Sequence, residues 1–118
     1  MTSLEIARAA AKALASKLGR DIKIIKISDL TVIADYFVIA TGTSNTQVRA
    51  LADEVDFQLS QQGVKPLRTE GVESGSWILL DLNSVVVHVF KPDAREFYAL
   101  ERLWADGEIV ETLVDEER

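Results

Sequence analysis

The sequence has no cysteine and one histidine, His88. Without thiols there is no disulfide framework and no thiolate metal site. A lone histidine on an apolar strand is more often a hydrogen-bonded structural residue than a base or a ligand. Basic charge is scarce: 13 Lys/Arg stand against 19 Asp/Glu, for a net charge of −6. Broad contact with nucleic-acid phosphate needs a basic surface, so little direct nucleic-acid contact is expected. Long apolar runs are missing too. Those near 77–80 and 85–90 fall far short of a membrane span. The N-terminus MTSLEIARAA lacks the basic start and apolar block of a signal peptide. A cytoplasmic protein with no membrane contact is the expectation.

What is present suits one domain: 118 residues, 47% of them apolar, enough for one core. Charge is uneven. Residues 1–30 carry six Lys/Arg and three Asp/Glu, whereas 106–118 carry six acids and one Arg. The acidic end suits a surface for a basic protein partner, and residues 113–118 alone read as a solvated tail.

Thr2-x-x-Glu5 is a capping box. Leu4, Ala7, Ala11, Leu14 and Leu18 follow at helical spacing, and Gly19 can end that helix. DIKIIKI (21–27) alternates, as a strand with one wet face does. SDLTVIAD reads as a connection. YFVIAT (36–41) is apolar throughout, like a central strand. Ser44-x-x-Gln47 is a second capping box, and Val48, Leu51, Ala52, Val55 and Leu59 continue with a period near 3.6 until Gly63. KPLRTE (65–70) reads as a short strand. SWILLDL and VVVHVF read as strands joined through Asn83-Ser84. Asp93-x-x-Glu96 opens a last helix with Phe97, Leu100, Leu103 and Trp104 inward. The order α-β-β-α-β-β-β-α predicts an α/β domain, a mixed sheet of about five strands flanked by helices.

The turn at Gly42 opens a helix, where phosphate is often held. Gly42 is explained by a turn needing positive φ, and Ser44 by capping. No Gly-Lys-Ser/Thr follows, and the further glycines of a dinucleotide fingerprint are absent. A metal-dependent nucleotidyltransferase would pair carboxylates one residue apart. Glu54-Val55-Asp56 has that spacing, but on a helix the two point about 200° apart. Asp81 has Leu79 and Asn83 at that distance. No catalytic, cofactor or metal residues are assigned. An enzyme using Gly42, Ser44 and Asp81 remains the alternative.

A tight turn at Asn83-Ser84 puts Leu82 against Val85, Leu80 against Val87 and Ile78 against Val89, one aliphatic face that must be core. The other face carries Trp77, Leu79, Asp81, Val86, His88 and Phe90. Aromatics with a few polar groups suit a protein-binding surface. Alternatively the last helix covers this face, and Asp81 and His88 pair with Arg95 or with backbone. Tyr98 lies about 100° off the inward Phe97, at the rim. Phe57 is off its helix's apolar stripe, as a homodimer contact or a stray aromatic.

Three blocks, DYFVIATGTSNTQVRALADEV (35–55), EG…G.WILLDL..VVVHVF (70–90) and REFYALERLW (95–104), resemble the Iojap family, the bacterial ribosomal silencing factors. The resemblance covers about residues 4–105, so the domain is placed at 1–105 and the acidic tail at 106–118. It implies a nucleotidyltransferase-like fold without the activity and without a cofactor. It implies binding to the large ribosomal subunit through ribosomal protein fourteen, blocking association with the small subunit. The family's partner surface implicates Trp77 and Tyr98. With the neighbours on their face, the expected site is Trp77, Leu79, Asp81, His88, Arg95 and Tyr98. A homodimer through the aromatic face is possible when the protein is free.

Overall fold

The computed structural model describes residues 1–30, 32–94 and 108–113, the last stretch by its backbone. In chain order the elements are α1 (Ser3–Ser16), β1 (Arg20–Lys26), β2 (Tyr36–Thr41), α2 (Asn45–Gln61), β3 (Arg68–Glu70), β4 (Trp77–Asp81), β5 (Val85–Phe90) and β6 (Glu108–Leu113). The order through β5 is the one the sequence predicts. Residues 92–94 are helical, and the rest of the expected last helix lies outside the described residues.

Local signals explain the helix starts. Thr2 caps α1 with a full box: Glu5 N–H donates to Thr2 Oγ1 at 3.1 Å, and Thr2 N–H donates to Glu5 Oε1 at 2.7 Å. At α2, Ser44 Oγ accepts from Gln47 N–H. The Gln47 carboxamide reaches past the cap and accepts from Thr43 N–H at 2.6 Å. At the end of α1 the left-handed residue is Leu18, with φ 63°, and not Gly19.

The strands form one sheet in the order β3-β4-β5-β2-β1-β6. Only β2 and β5 run parallel; the other neighbouring pairs are antiparallel. The sixth strand falls within the stretch 106–118 assigned above to the acidic tail. Its pairing with β1 sets Glu108 opposite Lys26 and Ile109 opposite Ile25.

Helices α1 and α2 pack together on one face of the sheet. The β4–β5 hairpin has the expected register, Ile78 against Val89 and Leu80 against Val87, closed by Leu82 N–H to Val85 O at 2.8 Å. Asn83 supplies the positive φ of 77°. Ile78, Leu80, Leu82, Val85, Val87 and Val89 are all buried in the core beneath the helices, with Val48, Leu51, Val55 and Leu59 of α2 opposite them.

A second apolar cluster lies on the other face, built on Ile25, Ile27, Phe37, Ile39, Val86 and Phe90. The wet face expected for β1 is therefore dry at its C-terminal end. Ile25 and Ile27 are buried there, because β1 sits beside β2 inside the sheet.

Gly42 has a different reason from the one the sequence suggests. Its φ is not positive. A Cβ there would stand 2.9 Å from Val48 Cγ2 and 3.1 Å from Val48 N. Glycine lets the first turn of α2 sit directly on the end of β2, whose Gly42 N–H donates to Phe90 O at 2.8 Å. Gly42→Ala should lower stability by about 1–3 kcal/mol through overpacking, seen as a lower urea midpoint. A midpoint equal to wild type would show that this junction has room.

Candidate partner-binding site

The site begins with a loop that α2 fastens. Arg49 of α2 donates from Nε to Val72 O at 2.9 Å and from Nη2 to Glu73 O at 2.6 Å. Gly71 turns with φ 84°, and a Cβ there would meet Trp77 O. The loop so held delivers Trp77 to the start of β4, half-buried on the face away from the helices.

Trp77 is pinned by polar and aromatic contacts. Its indole Nε1–H donates to His88 Nδ1 at 3.1 Å, and its ring lies 5.1 Å from that of Phe90. Phe37 meets the imidazole edge-on at 4.7 Å, and Phe90 stacks on it at 5.9 Å. These are attractive spacings for aromatic pairs. The indole N–H donated to His88 fixes the orientation of the Trp77 ring.

His88, read from the sequence both as a hydrogen-bonded structural residue and as part of the outward face, is hydrogen-bonded and 4% exposed. The parallel strand β2 explains this by placing Ile39 beside it in register and Phe37 across its ring. The hairpin alone does not show that neighbour. Val86 and Phe90 are buried with it. Since Nδ1 accepts from an N–H, the neutral ring carries its proton on Nε2. That Nε2 is buried and has no hydrogen-bond partner. Burial pushes the His88 pKa down from its ordinary 6.5 to about 4.

Leu79 and Asp81 are half-buried at the rim. Asp81 Oδ1 accepts from Asn83 N–H at 2.9 Å, and Oδ2 faces Arg68 Nε at 3.4 Å. Arg68 also pairs with Glu70 at 3.1 Å. The cation found here is Arg68, which the sequence reading did not single out. Its strand was legible, but its position directly opposite Asp81 is a matter of sheet order. Arg95 and Tyr98 lie outside the described residues. Between Phe37, Leu79, Val86 and His88, with Arg68 and Asp81 at the mouth, is a cavity of about 230 Å³. A second hollow of about 210 Å³ adjoins Trp77 and Leu79.

The elements weighed for catalysis serve other ends. Ser44 caps α2. Glu54 accepts from Gln58 Nε2 and lies 4.0 Å from Lys17, whereas Asp56 accepts from Ser60 Oγ. Different partners hold the two carboxylates apart, as helical spacing requires. Among the described residues no group of three or more His, Cys, Asp or Glu could hold a metal ion, and no helix is long and apolar enough to cross a membrane.

The model of the family "ribosomal silencing factor during starvation" matches residues 1–118. The chain belongs to the ribosomal silencing factors. The Bacillus subtilis ribosomal silencing factor RsfS is 38% identical over 111 residues, 94% of each chain. The crystal structure of protein CV0518 from Chromobacterium violaceum superposes with a TM-score of 0.87 at 43% identity, covering 89% of this chain and 88% of that one. A mouse relative, 33% identical over 73% of this chain and 39% of its own length, is named mitochondrial assembly of ribosomal large subunit protein 1. Membership makes the role of this silencing factor regulatory.

The buried imidazole gives the site a pH signature. The unfolded chain binds a proton near pH 6.5 and the folded chain only near pH 4, so stability is full above about 6.5 and falls as pH drops toward 4. The loss from this group amounts to at most about 3 kcal/mol. Urea midpoints of wild type should fall between pH 7 and pH 5 more steeply than those of His88→Gln. Parallel profiles would show that His88 is not held neutral.

Proposed function

We propose that this silencing factor is a translational repressor. It binds the large ribosomal subunit through ribosomal protein fourteen and keeps the small subunit from joining. The observation that carries the reading is Trp77. A large ring is held rigid by His88 and Phe90 at the edge of a half-open face, in a chain of the ribosomal silencing family. Rigid aromatic anchors beside small hollows are what binding hot spots are made of. The name of the mouse relative points to the same subunit.

The mechanism needs no bond-making. The chain has extents of 33 × 32 × 30 Å. Contacts between subunits need atoms within a few ångströms, so a body of that size on the joining face blocks docking by volume. An interface near ~1,600 Å² is enough to hold it there. The net charge of −6 speeds encounter with a basic ribosomal protein more than it tightens the complex. The reading places the protein in the cytoplasm, counts Tyr98 and Arg95 with Trp77 among the contact residues, and needs no cofactor. A homodimer of the free protein through the same face would compete with the subunit.

Co-sedimentation with purified large and small subunits tests this. Wild type should pellet with the large subunit alone. Trp77→Ala and Tyr98→Ala should each weaken that binding, by about 30-fold if the residue is a hot spot, with the far-ultraviolet circular dichroism of a folded chain. Undiminished binding by both variants would count against this surface.

A further inference from the structure

The loop between β3 and β4 is a single helical turn that stops. Gly75 N–H donates to Gly71 O at 3.0 Å, an i→i+4 bond, and Ser76 N–H turns instead to Ser74 Oγ at 3.3 Å. The carbonyls of residues 72, 73 and 74 therefore leave the turn with no helical donor ahead of them, as at the end of any helix. Helix α2 supplies the donors. Arg49 gives Nε–H to Val72 O at 2.9 Å and Nη2–H to Glu73 O at 2.6 Å, and Asn45 Nδ2 donates to Ser74 O at 2.5 Å. The planar guanidinium fork suits two adjacent carbonyls. Gly75, with φ 69°, is shaped to this clamp: a Cβ there would stand 3.1 Å from Asn45 Cβ and 3.1 Å from Arg49 Cζ.

These hydrogen bonds lie at the surface. Water would satisfy the same carbonyls, so their net worth to global stability is small. What they supply is position. The start of the turn lies on the backbone of Trp77, since a Cβ on Gly71 would meet Trp77 O. Glu70 and Gly71 on one side, with Trp77 and Leu79 on the other, enclose the hollow of about 210 Å³. His88 and Phe90 hold the Trp77 ring itself, but the facing wall of the hollow belongs to the loop. A loop free to move would have to be ordered at the moment of binding, and association would lose that entropy.

We infer that Arg49 is a positioning residue for partner binding: with Asn45 it fixes the 71–76 turn as one wall of the hollow beside Trp77. The inference rests on the reading of the Trp77 face as the partner surface.

Hydrogen exchange and co-sedimentation of the full chain test it together. In Arg49→Ala the Gly75 amide should exchange about ten-fold faster than in wild type, the worth of one lost hydrogen bond, at a urea midpoint close to wild type. Binding to purified large subunits should weaken about ten-fold, the ordering cost of one loop residue. Arg49→Lys should lose nearly as much, because it keeps the charge and not the fork. In a Trp77→Ala background Arg49→Ala should cause no further loss, since the loop acts through the hollow beside that ring. Asn45→Ala should show both effects in weaker form, and it carries the test if Arg49→Ala does not fold. Unchanged exchange, or faster exchange with undiminished binding, overturns the positioning role alone. Full binding by Arg49→Lys, or an Arg49 effect that persists without Trp77, reveals a direct contact and overturns it as well. Wild type that does not pellet with the large subunit overturns the ribosomal partner, and binding that Trp77→Ala leaves intact overturns the Trp77 face; the positioning role falls with either.

Discussion

The parallel pairing of β2 with β5 holds this molecule together. Six residue pairs, from Tyr36 with Val85 to Thr41 with Phe90, join the N-terminal αββ half to the C-terminal hairpin. Parallel neighbours cannot be joined by a tight turn, so the chain must cross over, and α2 is the helix of that crossover. The crossover explains why Gly42 is a glycine, since the helix starts directly on the end of β2. It also explains why α1 and α2 share one face and leave the other for aromatic residues.

The same pairing sets the chemistry of that second face. In an isolated hairpin, His88 would be a wet residue between Trp77 and Asp81. With β2 alongside, Phe37 and Ile39 close over it and the imidazole becomes buried and neutral. Its Nδ1 then serves as a fixed acceptor that orients Trp77. A half-exposed tryptophan would otherwise lose rotamer freedom on binding a partner. Here that entropy is lost on folding, which would favour association if a partner meets this ring, as proposed. Asp81 is likewise a member of an edge pair with Arg68, because β3 closes the sheet at that side.

A regulatory protein of this size gains by being rigid. On the proposed reading, exclusion by volume would require a body that does not deform and a grip that does not slide. The sheet with α1 and α2 on one face would give the first, and the Trp77–His88–Phe90 ring cluster would give the second. The turn that resembles a phosphate loop is spent on packing and capping, through Gly42 and Ser44.

Much of this was legible in the sequence because it depends on neighbours in the chain. Capping at Thr2 and Ser44, the periodic stripe of α2, and the hairpin register around Asn83-Ser84 are local, set by backbone geometry over a few residues. From that register follows the aliphatic face from Ile78 to Val89. The Iojap-like blocks pointed to the family by resemblance. Tertiary structure decided the rest. Strand order placed β2 over His88, Arg68 opposite Asp81 and β6 beside β1, all contacts between residues far apart in the chain. Burial of an imidazole, or the pairing of a charge, depends on what lies across a strand. Alternation along one strand carries no information about its neighbour, so only the folded sheet could turn His88 from a surface residue into the buried support of Trp77.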